Sequence, residues 1–150
     1  MGLLAKEYDL SKVILTVGGI PIGGYGSDGG VVVEWVAPIY EVNVGADGLT
    51  VASKVNNTDA TATITLNEMS AGYAALGGLL KIQENDPTPG LIPIPFLLID
   101  PGNGDTVASA FVIFTDRPSI SKARVAGERA FTLHLPGAAI TAIYGAANVI

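Results

Sequence analysis

The chain has 150 residues, enough for one domain with a buried core, and sets eight Lys and Arg against fourteen Asp and Glu, a net charge of −6 and a pI near 4.5. So few, scattered cations exclude a nucleic-acid-binding surface, and the absence of cysteine excludes disulfides, thiolate nucleophiles and thiolate metal sites. With 49% hydrophobic and 15% charged residues and a mean hydropathy of +0.46, either the surface is unusually apolar or neighbouring copies cover much of it.

Residues 1–7 lack the basic region and long apolar core of a signal peptide, and Lys6 stands where a myristoylation signal wants Ser or Thr. No apolar run reaches the roughly 18 residues that cross a bilayer. The expectation is a protein made and used without export or membrane insertion. Residues 12–17 read as a first strand closed by Gly18-Gly19, and 20–22 as a second short one. Gly24-Tyr25-Gly26-Ser27-Asp28-Gly29 has the spacing of a dinucleotide cradle. That motif has to open a helix, whereas the β-branched run 31–36 follows, so the glycines are read as a turn.

Ala37-Pro38 interrupts the sheet, because Pro has no N–H to give to a ladder. Residues 39–44 resume as a strand, with Tyr40, Val42 and Val44 opposite Glu41 and Asn43, and Val44-Gly45-Ala46-Asp47-Gly48 is a hairpin-type connection. Residues 49–56 alternate, placing Leu49, Val51, Ser53 and Val55 on one face and Thr50, Ala52, Lys54 and Asn56 on the other. Asn57-Thr58-Asp59 is a turn signal. The run 60–66 then sorts Ala60, Ala62, Ile64 and Leu66 against Thr61, Thr63 and Thr65.

The last two runs read as a hairpin with one dry face and one wet, neutral, hydroxyl-lined face. Such a face suits ordinary solvent-facing positions, or a surface along which something passes without sticking, since Thr binds water but carries no charge. Lys54 fits it poorly and needs an acidic neighbour such as Glu34 or Glu41, or a bulge that turns it outward.

From Glu68 to about Glu84 the period changes to three and four, with Asn67 or Ser70 able to cap the start, which predicts one helix. Gly72, Gly77 and Gly78 weaken it by roughly 1 kcal/mol each, so packing has to hold it, and Gly77-Gly78 is a point where it could split. Residues 91–100 are an apolar strand whose Pro93 and Pro95 predict an edge strand or a PPII-like start. The turn 100–105 has Gly102 and Gly104 where a calcium loop needs oxygen ligands, and reads as a hairpin turn. Strand 106–115 pairs back, and 128–135 alternates with Phe131, Leu133 and Leu135 on one face and Thr132 and His134 on the other. The uncharged tail 136–150 is expected to dock on its own sheet or on another copy.

Residue chemistry offers no catalysis. The one His, His134, has no second His or Cys to complete a metal or nucleophilic site and reads as structural, and no Ser lies in a nucleophile elbow. The expectation is no enzyme, no metal and no cofactor.

The ordered series Tyr8-Asp9-Leu10-Ser11-Lys12-Val13-Ile14-Leu15-Thr16-Val17-Gly18-Gly19, a glycine-rich turn, Val44-Gly45-Ala46-Asp47-Gly48, Asn56-Asn57, Thr63-Ile64-Thr65-Leu66 and the apolar helix resembles the tail tube proteins of contractile-tailed bacteriophages. The resemblance runs from about Tyr8 to Leu135. It implies a mainly β fold, an antiparallel β-sandwich or half-barrel with one flanking α-helix, as a single domain over residues 1–150. It also implies a structural virion protein whose hexameric rings stack into the hollow inner tail tube. The tail sheath protein lies outside, and phage DNA or a tape-measure protein passes through without sequence-specific binding.

Carried onto this chain, the resemblance makes Thr50, Lys54, Asn56, Thr61, Thr63 and Thr65 the lumen-facing residues, and Pro38, Val44, Gly45, Ala46, Asp47 and Gly48 the inter-ring contact. The apolar Trp35-Val36-Ala37-Pro38-Ile39 departs from the family, where a more charged segment is expected. An acidic, Lys-poor lining would let a polyanion slide past. Two alternatives remain at this point. One is a monomeric carbohydrate-binding β-sandwich using Trp35, Tyr25 and Tyr40, and the other is the inner tube of a non-viral contractile injection system.

Overall fold

The computed structural model describes residues 12–23, 25, 29–86, 92–102 and 104–141. In chain order the elements are β1 Ile14–Val17, β2 Ile20–Pro21, β3 Gly30–Trp35, β4 Tyr40–Val44, β5 Thr50–Lys54, β6 Ala60–Asn67, α1 Ala71–Glu84, β7 Phe96–Ile99, β8 Thr106–Ser109, β9 Ile113–Asp116, β10 Glu128–Leu135 and β11 Ala139–Thr141. The described chain is mainly β with one helix, and every strand pairing is antiparallel. A five-stranded sheet runs β11-β8-β7-β1-β2, a four-stranded sheet runs β3-β6-β10-β9, and β4 with β5 forms a separate ribbon.

The core forms because alternation puts one face of each sheet in the dry. Ala60, Ala62, Ile64 and Leu66 of β6 and Phe131, Leu133 and Leu135 of β10 meet Leu15, Val17, Phe96 and Val107 of the five-stranded sheet in one hydrophobic cluster, to which α1 adds Leu76 and Leu80. Tyr73 of α1 lies over Phe131 at 5.5 Å between ring centroids, and Phe114 meets Phe131 edge-on at 6.4 Å.

Helix α1 begins where the sequence places its cap. Ser70 Oγ accepts the Tyr73 N–H at 3.1 Å, and Asn67 Oδ1 accepts the Met69 N–H at 2.9 Å. Gly77-Gly78 do not split the helix, which is continuous through Glu84. Gly72 has a steric purpose: a Cβ there would stand 2.2 Å from the Gly23 carbonyl oxygen, so only glycine lets the helix lie against that backbone.

The expected hairpin between runs 49–56 and 60–66 does not form. β5 pairs with β4, Tyr40 opposite Lys54 and Val44 opposite Thr50, whereas β6 pairs with β3 and β10. The whole of residues 30–67 is instead one long bent hairpin with its tip at Gly45–Gly48. Gly48 N–H donates to Gly45 O at 2.9 Å, Asp47 Oδ1 accepts the Leu49 N–H at 3.0 Å, and Gly48 sits at φ +85°, as a glycine can. Below the ribbon, Val55 N–H bonds Ile39 O and Val36 N–H bonds Asp59 O, which pins both strands where they leave the sheet. The chain advances from Trp35 to Tyr40 on one side and from Lys54 to Ala60 on the other, so the return strand carries one extra residue. A slip of one residue exchanges the two faces of a strand, so the alternations of the two strands cannot both run unbroken from the sheet into the ribbon.

Two further expectations change. The proline-containing run does not make an edge: Pro93 and Pro95 precede β7, which lies inside its sheet between β8 and β1. The run 106–115 is not one strand. It breaks after Ser109, whose buried Oγ donates to Phe111 O at 2.9 Å and Pro136 O at 3.2 Å, so that β8 belongs to the five-stranded sheet and β9 to the four-stranded one. The turn 100–105 is the hairpin turn expected, closed by Asp100 N–H to Asp105 O at 2.9 Å, with Gly104 at φ +85°. The tail docks on its own sheet as far as β11, which pairs with β8. Residues 1–11, most of the glycine-rich run 24–29 and the tail 142–150 lie outside the described residues.

Candidate assembly surface

The wet face of the four-stranded sheet follows from register. Thr61, Thr63 and Thr65 of β6 are flanked by Glu34 and Val32 of β3 on one side and by His134, Thr132 and Ala130 of β10 on the other, with Ile113 and Asp116 of β9 beyond. Among the residues of these four strands the only Lys or Arg is Arg129, and its partner Leu66 puts it on the dry side. The wet face is therefore hydroxyl-rich and acidic, through Glu34, Asp116 and Glu128, with no full cation on it. Thr50 and Lys54 lie on the ribbon and Asn56 in the link below it, so the structure brings together Thr61, Thr63 and Thr65 but not all six expected wall residues. Lys54 stands opposite Tyr40 on the exposed ribbon.

The β4–β5 ribbon has the opposite character. Every residue of both strands is exposed. Register pairs Tyr40, Val42 and Val44 with Lys54, Ala52 and Thr50, so each ribbon face mixes apolar side chains from one strand with polar ones from the other. Val42, Val44 and Leu49 are 65%, 61% and 64% exposed, and Trp35, Val36 and Ile39 at the base add to the same patch. Val44 to Gly48 form the tip, whereas Pro38 lies at the base, so the expected inter-ring residues fall at two ends of the ribbon. Of the three aromatics considered for sugar binding, Trp35 and Tyr40 are exposed on this patch and Tyr25 packs against the core.

Polar pins hold the sheet. His134 Nε2 lies 2.8 Å from Asp59 Oδ2, and Gly137 N–H donates to Asp59 Oδ1 at 2.9 Å, joining the end of β10 to the loop before β6. The Gly137 N–H and then His134 hold the Asp59 carboxyl below the usual carboxylate range. His134 is thus a partnered structural residue, as its isolation in the sequence suggests. On the dry side Arg129 Nη1 donates to the Tyr73 hydroxyl at 2.7 Å, and its Nη2 stands 2.8 Å from Glu68 Oε2, a charge pair rather than an aligned hydrogen bond. Sequence reading missed this pair. Its signal was the parity of Arg129, a charge in the dry register of an alternating strand, which demands a buried partner.

A cleft of about 500 Å³ opens between the last turns of α1 and β9, lined by Leu80, Gln83, Glu84, Ile113, Phe114 and Thr115, with Asp116 and Arg117 at its end. Arg117 Nη2 donates to Glu84 Oε1 at 2.6 Å, and this bond draws the Glu84 carboxyl below its ordinary range. Among the described residues no three His, Cys, Asp or Glu side chains cluster to hold a metal, and no helix is long and apolar enough to cross a membrane.

No protein-family description and no curated relative matches this sequence. Solved structures do. A chain from the sheath-tube complex of the extracellular contractile injection system PVC, in its extended state, superposes with a TM-score of 0.59 at 10% identity, over 91% of this chain and 93% of that one. A chain from the PVC sheath/tube terminator gives 0.61 at 10% identity, over 92% and 99%. A chain from the tube-terminating cap of the anti-feeding prophage gives 0.57 at 12% identity, over 94% and 99%. At such identities the likeness is one of fold, and the fold is the one seen in chains of these contractile injection assemblies.

Proposed function

We propose that the chain is a structural subunit of the inner tube of a contractile machine, a phage tail or a related injection system, and is not an enzyme. The observation that carries this is the alternation of strand direction across the four-stranded sheet. Because the sheet has an even number of strands, β3 of one copy arrives antiparallel to β9 of the next. Such a sheet closes into a ring with every pair matched and no edge left open.

In that ring the face of Thr61, Thr63 and Thr65 lines the lumen, together with Glu34, Asp116 and Glu128. Thr50, Lys54 and Asn56 then belong to contacts between copies. A wall without full cations gives a passing polyanion nothing to release counterions against, so DNA or an unfolded protein slides rather than sticks. The exposed apolar ribbon, with Val44, Gly45, Ala46, Asp47 and Gly48 at its tip and Pro38 at its base, is covered by neighbouring copies within or between rings. Rings of six, as the resemblance implies, would stack inside a sheath protein and work in the assembled particle, virion or injection system.

A second reading is a tube terminator, a single ring that ends the tube. It is favoured by likenesses to a sheath/tube terminator and to a tube-terminating cap. Negative-stain micrographs of the purified protein at rising concentration separate the readings. Stacked hollow tubes mark the repeating subunit and rings that never stack mark a terminator. A lone globule at every concentration overturns both.

A further inference from the structure

β9 is an edge strand, but in the single subunit its edge is not open. Val112 and Phe114, two residues apart, turn the same backbone side away from β10, and one side chain answers both. Gln83 Nε2 donates to Val112 O at 2.8 Å, and Gln83 Oε1 accepts the Phe114 N–H at 2.8 Å. An added strand would make the same two bonds with its own backbone, an N–H to the Val112 carbonyl and a C=O from the Phe114 N–H. The amide of Gln83 imitates that strand with a side chain. At the other end of the sheet, β3 is the edge strand.

We propose that Gln83 is a removable guard on the β9 edge, which holds in the lone subunit the backbone positions that β3 of a second copy takes on ring closure. This rests on the barrel reading above and adds how that site is regulated. Its placement suits a guard. Gln83 lies one residue before the end of α1, half-buried at the rim of the cleft and about one turn beyond Leu80, the last core residue of the helix. The cleft it bounds continues the dry face of the sheet past Phe114. An incoming β3 carries Val31, Val33 and Trp35 on its own dry face, and Trp35 is 45% exposed in the lone subunit. The occupant that fits both edge and cleft is therefore a second copy of this chain. Arg117 and Glu84, paired over the far end of the cleft, bound the space open to it.

A guard of this kind makes premature pairing compete with two bonds already formed, a side-chain form of edge protection. The test is Gln83→Met, which keeps the stem and removes both polar ends. In dilute subunit the Phe114 amide should exchange with solvent at least about tenfold faster than in the parent, and the concentration at which rings or tubes appear should fall by about tenfold. In the assembled variant the Phe114 amide should be protected again, now by the neighbour.

Assembly of Gln83→Met at the parent's concentration, with Phe114 protected in the polymers of both, would overturn the guard while leaving the barrel reading intact; Phe114 unprotected in the polymer would overturn both. Absence of polymer from parent and variant alike would overturn both. Should Gln83→Met fail to fold by circular dichroism, Gln83→Glu serves instead. It still accepts from Phe114 N–H but repels the Val112 carbonyl, and should lower the assembly threshold to a lesser extent; an unchanged threshold counts against the guard.

Discussion

In β6 and β10 the apolar side chains other than Ala130 share one side and are buried, whereas in and beside the β4–β5 ribbon similar Val, Leu and Tyr side chains lie exposed on both sides. The residue types differ little between the two regions. The sheet's core-facing pairs put like opposite like, as Ile64 stands opposite Phe131, while the ribbon's put Val44 opposite Thr50 and Tyr40 opposite Lys54. A strand whose faces both mix polar with apolar is not completed by its own chain, and its stability is borrowed from whatever lies alongside. The sheet therefore carries the fold, and the ribbon is the part that we propose carries association.

That division can be broken by substitution. Phe131→Ala removes a ring that touches Tyr73 and Phe114 at the centre of the core, and should cost about 3–5 kcal/mol in urea unfolding of the dilute subunit. A smaller effect should show as pH dependence. Asp59 has a lowered carboxyl pKa, so its stabilisation is fully present above the unfolded value near 3.8 and is lost as pH falls through the lower folded value. Asp59→Asn should be less stable than the parent at neutral pH, with the gap closing in acid; a constant gap in pH-resolved unfolding would remove Asp59 from the set of pins.

The smallest effect on folding should come from the ribbon tip. Ala46→Lys should move subunit stability by no more than about 0.5 kcal/mol yet prevent rings or tubes from forming on micrographs. A large loss of stability with normal assembly would reverse the roles of the two regions.

What was legible in the sequence was what local periodicity and turn chemistry fix. The alternation of 60–66 and 128–135, the Ser70 cap and the Asp47-Gly48 turn all appear in the structure where they were expected. What was not legible was pairing between distant strands. Asn57-Thr58-Asp59 does turn locally, with Asp59 N–H bonded to Asn57 Oδ1 at 3.0 Å, but an Asx turn states only that the chain bends and not that its flanks pair. The one-residue slip below the ribbon has no local marker, and it decides whether Lys54 belongs with the threonine wall. Nor does Gln83 differ, as a letter, from any other polar residue near a helix end. Its meaning depends on β9, thirty residues on, leaving the first sheet after Ser109.

That departure has a mechanical consequence. The chain passes from the five-stranded sheet to the four-stranded one in the short span 110–112, and Ser109 ties the crossing to Pro136 at the end of β10. A tug on β9 is thus handed through three residues to the opposite layer, while β10 is clamped at the same corner. The two layers are yoked like the limbs of a buckle, so force applied along one edge is met by the whole subunit and not by a single peeling strand.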